Sequence, residues 1–231
     1  MFKPNYNSFY KEHANKSLDW LPMDTKELYE KNLKEKYQLL KQHDWIDKSF
    51  TYKFNSHGFR CNEFTDKPTI MFLGCSFTCG IGLPIEFIWP ELLSKNLNMH
   101  CANLAIGGGS NDAAFRLCNG WIDIINPQLV ILLPPPPDRL ELLNSTTINN
   151  LSLSWEQSTD SFLKEWIMDD NNSYFNNLKN KLAIQNICVT RNIKFLALEF
   201  GQMHSVDLAR DLSHSGIKSN KIFAEHILTK L

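Results

Sequence analysis

The sequence predicts an α/β protein built on a parallel sheet covered on both faces. Three observations predict it. Short apolar runs recur at wide spacing, TIMFL at 69–73 and QLVILL at 128–133 being the clearest. They are continuous rather than alternating, which marks strands buried on both faces. Helix-length stretches separate them, the rhythm of strand–helix–strand units. A chain breaker ends each run, Gly74 after the first and Pro134 just past the second.

Residues 1–66 precede this rhythm and read as a polar, aromatic extension packed on the core; residues 67–231 form the main domain. In the extension, Asp24 or Thr25 can cap a helix running to about residue 42, with Leu28, Leu33, Tyr37 and Leu40 roughly on one face. FNSHGFRCNEF at 54–64 holds a glycine at a turn and reads as a loop or hairpin. TIMFL is the first sheet strand. A helix is expected near 86–97, a second strand in MHCANLA (99–105), then the cluster Gly107-Gly108-Gly109 and a helix from Asn111 to Ile125. QLVILL is the third strand. IKFLALEF (193–200) is a fourth, SVDL (205–208) a short fifth, and a last helix covers about 219–230. Residues 138–180 interrupt the alternation and read as a helical insertion, either a lid or a peripheral packing element. The four prolines at 134–137 fix an extended segment just after a strand.

Composition narrows the function classes. The chain has 231 residues, 43% of them hydrophobic and 12% aromatic, enough for a full core. Its 24 basic and 25 acidic side chains leave a net charge of −1, which argues against nucleic acid as a main partner. No apolar run approaches the roughly 20 residues of a membrane span, and the first residues lack the apolar stretch of a secretory signal. The expectation is a cytoplasmic protein with no membrane span, in which the six cysteines, none at C-x-x-C spacing, are free thiols. Lysine far outnumbers arginine and asparagine is abundant, a bias of AT-rich genomes compatible with a viral or a marine bacterial origin.

Ligands of open α/β sheets bind beyond the carboxyl ends of the strands, and three chain segments there carry chemistry. Ser76 lies in Gly74-Cys75-Ser76-Phe77-Thr78, just past a buried strand, where backbone N–H groups of a following helix are free. Alone, such a serine is more readily an ordinary helix N-cap. The segment is neither G-x-S-x-G nor a P-loop, since Thr78 takes the last glycine's place and no G-K-[ST] follows. Gly108 sits in a loop where the backbone can approach a ligand closely and donate an N–H. Asp211 and His214, three apart, can pair on one turn so that the carboxylate fixes the imidazole tautomer; a surface turn is the plainer reading of D-x-x-H by itself. The other six histidines have no comparable partner in sequence.

Taken in order, the three segments resemble the blocks of the SGNH (GDSL-type) hydrolase superfamily. IMFLGCSFTCGIGLP resembles the block carrying the nucleophilic serine, ANLAIGGGSND the block supplying a glycine N–H, and DLARDLSHSGIKSNKIFAEHI the block carrying Asp and His. NSHGFR is similar, more loosely, to a segment upstream of the first block in some members. The resemblance implies a flavodoxin-like three-layer α/β/α sandwich with a five-stranded parallel sheet. It implies Ser76 as nucleophile, His214 as general base and then acid, Asp211 as its orienter, and the N–H groups of Ser76 and Gly108 as oxyanion donors.

Two departures from the family pattern stand out. Cys75 replaces the aspartate of Gly-Asp-Ser, a position outside the triad. The asparagine that the family places after its third strand, another oxyanion donor, is absent; LPPPPDRLE occupies the stretch, with Pro137 or a neighbour at the matching position. Proline donates nothing, and losing one such donor costs about 10²–10³ in rate. Asn111 and Arg139 are the candidate substitutes. The expected activity is hydrolysis of a small acyl ester, on a carbohydrate among other carriers, with acyl transfer to another hydroxyl a variant of the same chemistry. It needs no cofactor and no metal. The alternative is a weakly active or inactive domain that binds a glycan or partner protein. A nucleotide-binding module ranks below both, since no phosphate motif is complete. The sequence leaves the oligomeric state open.

Overall fold

The computed structural model describes residues 5–143, 148–151, 165–166, 169–199 and 201–231. In the extension, a two-residue ladder pairs β1 (Ser17–Leu18) with β2 (Tyr52–Lys53), antiparallel. Between them lie α1 (Lys26–Glu35) and α2 (Tyr37–Gln42). Thr25 caps α1, its side chain accepting the Leu28 N–H at 3.1 Å. Lys36, at φ −132° and ψ 32°, leaves helical geometry and divides the single expected helix in two.

The main sheet contains β3 (Thr69–Leu73), β4 (His100–Asn103), β5 (Leu129–Leu132) and β8 (Lys194–Ala197), in the order β4-β3-β5-β8 and parallel throughout. Counted along the chain within this sheet, the order is 2-1-3-4, the flavodoxin-like arrangement. Each strand is only four or five residues long, yet β3 and β5 are buried along their whole length. Alternate side chains feed two different cores. Met71, Leu73, Val130 and Leu132 meet α5 (Asn111–Ile125) and α6 (Asp170–Val189) through Leu117, Cys118, Ile122, Ile184 and Cys188. Ile70, Phe72, Leu129 and Ile131 meet α4 (Trp89–Asn96) and α7 (Ile217–Leu228) through Trp89, Leu93, Phe223 and Ile227. The result is three layers, α/β/α.

The sheet differs from expectation in having four strands among the described residues, not five. The SVDL segment does not join it. The backbone N–H groups of Val206 and Asp207 donate to Ser219 Oγ at 2.9 and 3.2 Å, so they have no donor to give a ladder. Leu208 forms only an isolated bridge to Ser215. Asp207 in turn accepts the N–H groups of Lys218 and Ser219 at 2.9 and 2.8 Å, capping α7 from outside the helix.

After β5, an antiparallel hairpin of β6 (Leu140–Leu143) and β7 (Ile148–Leu151) precedes α6. Much of the interrupting stretch, including Trp155 and Phe162, lies outside the described residues. The six cysteines are free thiols and all are buried. No helix among the described residues is long and apolar enough to cross a membrane.

Candidate active site

The carboxyl end of β3 turns sharply at Gly74. A Cβ there would lie 2.4 Å from Thr78 Oγ1 and 2.9 Å from the Leu133 carbonyl oxygen, so only glycine lets this turn pack against the end of β5. The short helix α3 (Ser76–Cys79) follows. Cys75, extended, is its N-cap, and Ser76 is its first helical residue. The serine therefore does not serve as the cap. Its N–H belongs to the first turn, which has no intrahelical acceptor. Among the described residues no backbone or side-chain acceptor takes the Ser76 or the Gly108 N–H. Ser76 is buried at the point where the connections from β3 and β5 leave the sheet, the usual ligand crevice of this topology.

The second loop, between β4 and α5, lies against the first. A Cβ on Gly109 would sit 3.2 Å from the Gly74 carbonyl oxygen. Gly108 has φ +70°, a left-handed conformation that glycine adopts freely. Asn103, at the end of β4, donates from its amide to the Thr78 carbonyl at 2.8 Å and ties this strand to α3.

Asp211 and His214 pair as their spacing anticipates. The Asp211 Oδ2 atom meets His214 Nδ1. A carboxylate only accepts, so Nδ1 carries the proton and Nε2 is the basic nitrogen. Asp211 Oδ1 accepts the N–H groups of Ser213 and His214, each at 3.1 Å. Leu212, between them, has φ +55°, a conformation a branched side chain takes only under constraint. Both Asp211 and His214 are buried.

This turn reaches the Ser76 segment through Phe77, whose ring lies edge-on to the His214 ring at 5.0 Å between centroids. It reaches it again through Gly82, whose carbonyl accepts the Arg210 N–H at 3.1 Å. The Asp211–His214 turn and the Ser76 segment thus sit on touching loops. The Ser76 hydroxyl is not hydrogen-bonded to the His214 ring among the described residues.

The two candidate substitutes both engage the neighbouring loops. Asn111 is the first residue of α5, after the Ser110 cap, and donates to the Pro135 carbonyl at 3.4 Å. Arg139 donates to the Gly109 carbonyl at 3.4 Å. The proline stretch and the glycine loop are therefore joined by the side chains named for the missing donor's place.

Sequence reading passed over several residues that shape this region. Tyr10 Oη accepts the Gly107 N–H at 3.0 Å, and burial pushes its phenol well above the usual range. Tyr52 and Arg60 bind the segment after Ser76 instead, at Gly82 and at Cys79, Gly80 and Leu83, and the Arg210 N–H donates to the Gly82 carbonyl. The signal for Arg60 is the NSHGFR segment, whose loose family resemblance assigns the arginine no role. Among the described residues no group of three or more His, Cys, Asp or Glu is placed to hold a metal ion.

No family model matches the chain, and no curated protein matches it. Several solved structures are similar at low identity. A protein assigned to the G-D-S-L lipolytic family from Desulfitobacterium hafniense DCB-2 is 12% identical, with 71% of this chain and 99% of that one covered and a TM-score of 0.40. The psychrotrophic esterase EstA from Pseudoalteromonas sp. is 14% identical, with 70% and 94% covered and a TM-score of 0.37. The acetyl xylan esterase Est2A from Butyrivibrio proteoclasticus is 13% identical, with 80% and 66% covered and a TM-score of 0.37. These are distant likenesses; the α/β/α description rests on the strand order and the two cores given above.

Proposed function

We propose that the chain is a serine ester hydrolase of the SGNH kind, acting on a small acyl ester through an acyl-enzyme on Ser76. The observation that carries the reading is the buried Asp211–His214 pair, set against Phe77 beside the serine at the sheet's carboxyl edge. His214 Nε2 takes the Ser76 proton as Oγ attacks the ester carbonyl carbon. The N–H groups of Ser76 and Gly108 receive the oxyanion, with Asn111 and Arg139 as further donors. His214 then returns the proton to the departing alcohol. Water repeats the cycle on the acyl-enzyme and frees the acid. The acyl group is small, and a carbohydrate hydroxyl is one alcohol that can carry it; a second hydroxyl in water's place makes the same site an acyltransferase.

A fluorophosphonate probe tests this directly. Ser76 becomes phosphonylated in the folded wild type, and Ser76→Ala stays unlabelled. Folded wild-type protein that resists the probe overturns the proposal.

A second reading has its own support. Proline stands where the family keeps an amide donor, and the Ser76 hydroxyl makes no hydrogen bond to His214 among the described residues. It makes the domain a binder of glycans or of a partner protein. Saturable glycan binding that survives Ser76→Ala, with no turnover, selects this reading.

A further inference from the structure

The extension buries more charge than its position outside the sheet requires. Arg60 is almost fully enclosed and has no carboxylate within ion-pair distance among the described residues. It donates instead to three carbonyls in the segment just after Ser76. They are Cys79 at 2.9 Å, Gly80 and Leu83. Its Nε is buried with no partner among the described residues, and burial lowers its pKa from the ordinary arginine value. A buried guanidinium without a counter-ion is costly. What it secures is the carbonyl end of the helix that carries Ser76.

A second buried chain runs from the extension to the other loop. Tyr52 Oη accepts the Gly82 N–H at 2.8 Å and donates to Asp24. Asp24 holds Arg210, Oδ2 to Nη2 at 2.7 Å and both oxygens to Nε at 3.1 and 3.2 Å. Arg210 lies between the rings of Trp20 and Phe50, 4.0 Å from each, and also donates to the Asp19 carbonyl at 2.9 Å. Arg60 lies 4.5 Å over the Tyr52 ring, which links the two arrangements. They converge on residues 79–83. Gly82 there has φ +80°, and a Cβ on it would fall 3.1 Å from Asp211 Oδ1 and 2.8 Å from Ala209 Cβ.

We infer that Asp24, Tyr52 and Arg60 are positioning residues that set the Ser76 segment and the Asp211–His214 turn in register. This rests on the proposed roles of Ser76 and His214. The extension is on this view part of the active site, acting through the backbone of residues 79–83 and through Arg210. None of the three residues touches substrate.

Tyr52→Phe is the sharpest test, because it deletes one hydroxyl and keeps the ring under Arg60. Two readouts are taken on folded protein. One is the second-order rate of Ser76 phosphonylation. The other is the low-field proton resonance of the His214 Nδ1–H held by Asp211, which needs no activity. The expected result is a phosphonylation rate reduced roughly ten- to a hundredfold, with the resonance shifted or lost. Arg60→Lys, which keeps the charge but not the fork, should fall between wild type and Arg60→Ala. A lowered melting temperature with both readouts unchanged overturns the inference and leaves the network merely structural. If the wild type itself is not phosphonylated, the proposed function fails, and the proton resonance alone still decides whether these residues set the Asp211–His214 pair.

Discussion

Asp211 grips His214 with both oxygens, one on the ring Nδ1 and the other on the backbone N–H at 3.1 Å. The imidazole is thereby fixed in tautomer and in direction at once. Asp211→Asn presents an amide where the ring needs an acceptor. Activity should drop about 10³–10⁴-fold, as expected when a histidine is left in the wrong tautomer. Steady-state ester hydrolysis measures it, and a loss under tenfold removes Asp211 from the relay.

The Arg116–Glu141 pair gives a stability prediction. Nε meets Oε2 at 2.6 Å and Nη2 meets Oε1 at 2.8 Å, both side chains being buried. Arg116 also donates to the Asn5 and Asn7 carbonyls at 3.0 and 2.8 Å. Glu141→Leu strands a guanidinium in the interior and should cost about 3–5 kcal/mol. Adding Arg116→Met should recover part of the loss. Urea unfolding of the two singles and the double checks both statements, and additive losses contradict the second.

Gly74→Ala forces a methyl into Thr78 Oγ1 and the Leu133 backbone. Overpacking of this kind costs about 1–3 kcal/mol, and here it also displaces the turn leading to Ser76. Gly201→Ala is the control. Its φ is +77° but nothing lies within 4 Å of the added Cβ, so it should cost only the ~1–2 kcal/mol of a left-handed alanine. Melting curves and probe labelling together should show Gly74→Ala losing labelling and Gly201→Ala keeping it.

Glu91 predicts a pH effect. Burial raises its pKa in the folded protein, and its Oε1 has no hydrogen-bond partner among the described residues. The folded state therefore holds this proton more tightly than the unfolded chain does. Stability contributed here is present in acid and is lost as pH rises through the titration. Glu91→Gln removes that loss. The melting temperature of the variant minus that of the wild type should be larger at pH 7 than at pH 4; an equal difference at both refutes the assignment.

Much of the fold was legible because both-face burial writes itself into short strands. TIMFL and QLVILL coincide with β3 and β5 for that reason, and the 111–125 helix coincides with α5, whose Ser110 cap and apolar face are local signals. SVDL reads as a short strand too, but its donors go to Ser219, a partner that no local pattern announces. At the candidate site, the pairing of Asp211 with His214 was readable from a three-residue spacing. The roles proposed for Asp24, Tyr52 and Arg60 were not, because each acts on groups distant in sequence, backbone for Tyr52 and Arg60 and the Arg210 side chain for Asp24. A buried arginine bonded to carbonyls leaves no complementary charge in the sequence to find.

The Asp24–Arg210 contact joins positions 186 residues apart. As the polypeptide is synthesised, the early carboxylate and the Trp20 and Phe50 rings are exposed well before their arginine has been made. Contacts of such range form late, since the entropy of loop closure comes before the reward. A product terminated before residue 210 would have all four strands of the sheet and the Arg60 and Tyr52 contacts to the segment after Ser76, but not the Asp211–His214 turn. The Asp211–His214 turn and its anchor would then arrive together, once residue 214 has been made, rather than growing with the nascent chain.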